Sequence, residues 1–219
     1  MDELARRRPP RRHAGRTFNR DFAVLAGFDP TASVMTDEGP TPLEWIGTGD
    51  RVLTKGGTYE PVLWVERSRL HMGAIRDLPE LAPVRIERGT LEEDVPDRHM
   101  FVSPSQLLFV HRDAADPTSD GVLVPACTVG EQVDPALRPA AEQITYVSLL
   151  LPAHHVMQVD GAWMGSLFLA DLALELGPDD PFRGSLSADV MEPAAPILGR
   201  QEALQFLATR SANAAGRTA

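Results

Sequence analysis

Gly47-Thr48-Gly49-Asp50-Arg51-Val52-Leu53-Thr54 decides how this 219-residue chain folds. The run ends in Arg51-Val52-Leu53-Thr54, and Gly56-Gly57 follows almost at once. A glycine pair supplies the positive φ angles that a tight turn requires, and Tyr59-Glu60-Pro61-Val62-Leu63-Trp64-Val65 then reads as a returning strand. The segment is therefore expected to be a β-hairpin.

The same grammar of short apolar runs broken by Gly, Pro and Asp continues along the chain. Val84-Arg85-Ile86 alternates as a half-buried strand does. Met100-Phe101-Val102 and Leu107-Leu108-Phe109-Val110 read as strands on either side of Ser103-Pro104-Ser105. Val122-Leu123-Val124 is another, ended by Pro125. Ile144 to Leu151 is the longest β-forming run. Val156-Met157-Gln158-Val159, Asp160-Gly161 and Ala162-Trp163 read as a further hairpin. Many short strands with frequent turn signals predict a mainly β fold. Gln201 to Arg210 brings Leu204, Phe206 and Leu207 together at helical spacing, which predicts a C-terminal helix over 200–210. Asp77 to Ala82 is too short to assign, and 166–176 is apolar nearly all round, leaving helix and strand both open.

Charge divides the chain unevenly. Residues 1–20 carry seven arginines against Asp2 and Glu3, a net of +5, so the rest carries −15 of the total −10. Arg and Pro dominate this arm, and it is expected to be disordered and solvated. The body, 21–176, is read as one domain, followed by a Pro-, Asp- and Gly-rich loop at 177–199, the helix, and a disordered tail at 211–219. An acidic body argues against a nucleic-acid partner. Hydrophobic residues make up 43% of the chain, enough for a sizeable core. No apolar run reaches the roughly 20 residues of a membrane span. Phe22 to Phe28 follows the arginines as a signal peptide would, but it begins after Asp21 and lacks a clear cleavage site. With Cys127 the single cysteine, an intramolecular disulfide is excluded and the cytoplasm is the favoured compartment. Export by another signal stays open.

Taken together, these segments resemble a Hint domain, the self-processing module of inteins and hedgehog proteins. The resemblance runs from about Gly27 to about Phe168 and is greatest to the bacterial subfamily that opens with a Cys-Phe-Thr-Pro-Gly-Thr type motif. Here that motif reads Gly27-Phe28-Asp29-Pro30-Thr31-Ala32. Gly49 to Thr54 matches next. Pro83-Val84-Arg85-Ile86, with Gly89 and Leu91, and then Val122-Leu123-Val124-Pro125-Ala126 follow in family order. Thr145-Tyr146-Val147, Leu149-Leu150, His154 and Asp160-Gly161-Ala162-Trp163 supply the closing pattern. Such motifs specify a fold of many short β-strands; they do not specify an activity.

What the resemblance implies about chemistry turns on departures from it. Hint self-processing begins when a side-chain sulfur or oxygen attacks the preceding carbonyl, and that requires a nucleophile at one position. The matching residue is Gly27. The family's Thr-x-x-His motif, whose His protonates the scissile amide, reads Ser103-Pro104-Ser105-Gln106, and glutamine does not titrate near neutral pH. Ser148 stands where relatives often have a His, whereas His154 keeps a later family position. Gly27, Ser103, Gln106, Ser148 and His154 are thus read as a vestigial site, and the chain is expected to lack self-splicing and self-cleavage. Two alternatives stay open. One is an active domain with a displaced nucleophile, Ser33, Thr31 or Cys127. The other is a recognition or assembly module that binds a protein partner through its basic arm.

No cofactor is implied. The neighbours His154 and His155 would face opposite sides of a strand, and His13, His71, His99 and His111 are scattered, so no metal site is assigned. Leu91-Glu92-Glu93-Asp94 with Asp97 is read as a solvated acidic loop rather than a calcium loop. Trp45, Trp64 and Trp163 are expected in the core, and Cys127 as an inert buried residue.

Overall fold

The computed structural model describes residues 26–113, 116, 118–133, 143–168 and 191–217. The basic arm, the 166–176 segment beyond Phe168 and most of the 177–199 loop therefore lie outside the described residues. Strands dominate what is described. A sheet is built from β1 (Ser33–Thr36), β2 (Gly39–Pro42), β3 (Arg51–Leu53), β4 (Tyr59–Pro61), β8 (Leu107–His111), β9 (Gly121–Pro125), β12 (Val156–Val159) and β13 (Ala162–Gly165). Its order is β4-β3-β1-β12-β13-β8-β9, with β2 paired to β1. A smaller sheet joins β10 (Glu131–Gln132), β6 (Val84–Ile86) and β7 (Met100–Val102). The long strands β5 (Trp64–His71) and β11 (Gln143–Leu150) pair with each other. Helix α1 (Met72–Asp77) follows β5, and α2 (Arg200–Arg217) closes the described chain.

The two turns expected from glycine chemistry are present. Gly57 has φ 77° between β3 and β4, and Asp160-Gly161 has φ 45° and 78° between β12 and β13. Two successive positive φ angles fit the right-handed twist of paired strands, which is why Asp-Gly occupies that hairpin. The returning strand expected over 59–65 is instead broken. Val62 N–H donates to Asp50 O at 2.8 Å and Leu63 N–H to Leu150 O at 2.8 Å, so the chain leaves one sheet and enters another there. Val62 is buried and Leu63 is exposed.

Side-chain periodicity puts Val34, Val52, Leu108, Val147, Leu149, Met157, Val159 and Met164 in one core, all essentially without solvent contact. The tryptophans depart from expectation. Trp45 is 66% exposed, because Leu43 and Ile46 take the inward positions of its short 3-10 turn. Trp64 and Trp163 are half-buried; the Trp64 indole donates to Glu66. Helix α2 also runs to Arg217, beyond Arg210, and so replaces the tail expected over 211–217. Ala212, Ala214 and Ala215 are the physical reason, since alanine is the strongest helix former and shortness of side chain does not imply disorder.

One polar clamp ties the start of the domain to its end. Asp160 Oδ1 accepts hydrogen bonds from Ser33 N–H (2.9 Å) and from Arg98 Nε (2.9 Å) and Nη2 (2.6 Å). Arg98 Nη2 also reaches Thr31 O at 3.0 Å and Ser33 Oγ at 3.2 Å. The Asp160 side chain is 3% exposed, so losing its charge leaves buried donors poorly matched. Asp160→Asn keeps the positive φ tolerable and is expected to lower stability by about 2 kcal/mol, read as a lower urea midpoint with an unchanged slope.

Candidate functional site

The peptide between Ala26 and Gly27 is held on every polar side. Phe28 N–H donates to Val147 O at 3.0 Å and Phe28 O accepts in return from Val147 N–H at 2.9 Å, while Asp29 N–H donates to Phe101 O at 2.9 Å. These bonds lay the segment between β7 and β11. Gly27 N–H then donates to Ser103 Oγ at 3.1 Å, and Ser103 N–H donates to Gly27 O at 2.8 Å. The Ser148 hydroxyl donates to Ala26 O. Ser103 and Ser148 are both buried. Chemically, a hydroxyl on the carbonyl oxygen withdraws electron density from the carbonyl carbon, as an oxyanion donor does. Ser148 contacts the oxygen, so its geometry is that of a donor rather than an attacking group.

What the arrangement lacks is room for an attacking side chain. A Cβ on Gly27 would lie 2.8 Å from Tyr146 Cβ, 3.0 Å from Ser148 Oγ and 3.4 Å from Val147 O. The first contact is between atoms bonded directly to backbone and cannot be relieved by rotating a side chain.

Gln106 and His154 lie around a different residue, Gly165. Gln106 is 1% exposed, and its Nε2 donates to Gly165 O at 2.9 Å and Leu107 O at 3.1 Å. Both amide protons are thereby committed to backbone. A Cβ on Gly165 would meet His154 Nε2 and Leu107 Cβ, each at 3.2 Å. His154 is 3% exposed and lies 5.0 Å from the Phe168 ring. Ala194 N–H donates to its Nδ1 at 3.2 Å, so the neutral ring carries its proton on Nε2. That atom lies near the Ser166 backbone without a well-formed hydrogen bond. Burial, aided by the charge of His155, pushes the imidazole pKa down to about 4, against an opposing pull from the Ser166 backbone. The five residues read from the sequence thus form two groups. Among the described residues, no side-chain hydrogen bond joins Ser103 or Ser148 to Gln106 or His154.

The other candidates have their own partners. Thr31 Oγ1 donates to Asp29 Oδ1 at 2.6 Å, and Ser33 Oγ accepts from Arg98. Cys127 sits in the turn after β9, with its N–H on Pro104 O at 3.1 Å, and is only partly buried against the core rather than enclosed in it. His154 and His155 precede β12 instead of lying within a strand, so the alternation argument does not apply to them.

The sequence reading missed a relay behind these strands. Glu92 Oε1 is 2.6 Å from His111 Nδ1, and His111 Nε2 is 3.2 Å from Lys55 Nζ. Glu92, expected in a solvated loop, has a side chain only 26% exposed and anchors an imidazole that is 5% exposed. Glu93, Asp94 and Asp97 are exposed and fit the solvated description, with Asp94 paired to Arg88 at 2.6 Å. The 19-residue separation of Glu92 and His111 hides this pairing from any local pattern.

Comparison with known proteins bears on the fold. Crystal structures of a gp41-1 intein variant (15% identity, TM-score 0.40) and of an MchDnaB-1 intein variant (13% identity, TM-score 0.38) each align over 64% of this chain and 98% of their own. At these scores neither likeness carries an argument. No curated protein matches. Among the described residues, no helix is long and apolar enough to cross a membrane. The Hint-domain family model matches residues 26–171, two thirds of the sequence, and with the mainly β architecture this places the chain in the Hint domain family.

Proposed function

We propose that this chain is a Hint scaffold, of the bacterial subfamily, that carries out neither self-splicing nor self-cleavage. The reading rests on one observation: the position where an attacking side chain belongs is Gly27, and Tyr146 and Ser148 occupy the space its Cβ would need. Removing a covalent nucleophile removes the step itself, and binding energy elsewhere cannot replace it. The commitment of Gln106 to two backbone carbonyls supports the same reading, since no titrating group takes its place there. Ser103 and Ser148 act in this scheme as structural partners of the Ala26–Gly27 peptide.

Intact-mass measurement on the full chain tests this directly. Prolonged incubation with a thiol, and separately with hydroxylamine, is expected to leave a single species. Fragments separated between Ala26 and Gly27, or next to Ser33, would overturn the reading.

A further inference from the structure

Beyond the Ala26–Gly27 peptide, a cleft of about 670 Å³ opens beside His154. It falls within the size range of small-molecule sites. Phe109 forms one wall. Its ring fits because β9 begins with glycine: a Cβ on Gly121 would lie 2.2 Å from Phe109 Cζ. Lys55 and Arg112 line the same cleft with His155.

Among the described residues, neither Lys55 nor Arg112 has a carboxylate within 4 Å. Lys55 Nζ is nonetheless held in place. It lies 4.8 Å from the Phe109 ring centre and 5.9 Å from that of Trp163. It also shares a 3.2 Å hydrogen bond with His111 Nε2. With His111 Nδ1 on Glu92, the imidazole donates to the carboxylate and accepts from the ammonium. One ammonium proton is used, and two remain for a ligand. Behind this relay Arg210 Nη2 is 3.9 Å from Glu92, and Asp120 lines the cleft with Arg112. Among the lining residues two cations, Lys55 and Arg112, stand against one carboxylate, Asp120, an excess of one positive charge in a chain of net −10. His154 adds none near neutral pH.

We infer that this cleft binds a small organic carboxylate, its apolar body against Phe109 and its carboxylate between Lys55 and Arg112. The single surplus charge suits a monoanion; a phosphate ester would bring a second negative charge against Asp120. Arginine's planar fork and the fixed ammonium are suited to the two oxygens of a carboxylate.

3-Phenylpropionate is the probe, titrated into the full chain and followed by amide shifts and Trp163 fluorescence. Saturable binding with a Kd of about 1 mM is expected, with the amide shifts centred on Gly56, Gly121 and Ala195. Lys55→Met and Arg112→Gln are each expected to weaken it about tenfold or more, with thermal midpoints little changed. The neutral 3-phenylpropionamide should fail to saturate, and phenyl phosphate should bind more weakly than the carboxylate. Absence of saturable shifts, shifts centred elsewhere, or unweakened binding by both variants would remove the site. Equal binding of the amide would overturn the anion assignment, and tighter binding of phenyl phosphate would overturn the carboxylate one. The wild-type shifts localise the ligand even if a variant fails to fold.

Discussion

Gly27→Cys is expected to destabilise the protein by about 3 kcal/mol, and Gly27→Cys combined with Gln106→His to remain uncleaved. The stability loss follows from the 2.8 Å approach of a new Cβ to Tyr146 Cβ. Tyr146 is 2% exposed and lies in β11, where eight paired residues resist displacement. Overpacking a rigid site costs about 1–3 kcal/mol, and a contact between two Cβ atoms belongs at the upper end. For a domain of this size the thermal midpoint should fall by roughly 10 °C. Gly27→Ala separates the steric effect from the thiol, because it adds the same Cβ and should cost nearly as much. The chemical half follows from where the thiol would go: displaced from its contacts with Tyr146 and Ser148, it is not held on the Ala26 carbonyl carbon, and a near-attack pose tolerates little misplacement. His at position 106 would also have to give up the two backbone bonds now made by Gln106. Mass spectrometry after hydroxylamine treatment reads the outcome, and cleavage before residue 27 would show that the scaffold still activates that bond.

Acid should destabilise the fold through His154. Its folded pKa is about 4, against 6.5 for a free imidazole. Between those values the unfolded chain binds the proton and the folded chain does not, so stability rises with pH across that window. The His154 contribution is complete above about pH 6.5 and is lost progressively as the pH falls through about 4. At about 1.4 kcal/mol per unit, the full loss is about 3 kcal/mol. The cause is burial, so a neutral replacement removes it. His154→Asn is expected to flatten the pH dependence of the urea midpoint between pH 4 and 6.5, whatever it does to stability at pH 7. An unchanged slope in that variant would assign the acid sensitivity to other groups.

Much of the architecture follows from local pattern. Asp160-Gly161 and Gly57 specify their turns because only a few residues accept positive φ, and that preference acts within two residues. The apolar run Ile144 to Leu151 specifies β11 because its β-branched and apolar side chains suit a pleated surface buried on both faces. The break at Val62-Leu63 was not legible, since it depends on Asp50 and Leu150 offering carbonyls from two different sheets. Trp45 shows the same limit: whether an aromatic residue faces inward depends on which neighbours reach the core first, here Leu43 and Ile46.

The site divides along the same line. The sequence alone determined which chemical groups exist: no side chain at Gly27, a hydroxyl at Ser103, an amide at Gln106, an imidazole at His154. Covalent identity needs no folding to be known. Tertiary structure alone decided what each group faces. It placed Tyr146 Cβ where a Cβ on Gly27 would go, set the Ser148 hydroxyl on the Ala26 carbonyl, tied Gln106 to Gly165, and joined Glu92, His111 and Lys55 behind the cleft. Those contacts span separations of 19 to 122 residues, and they arise from how the sheets pack, which no local pattern in the chain encodes.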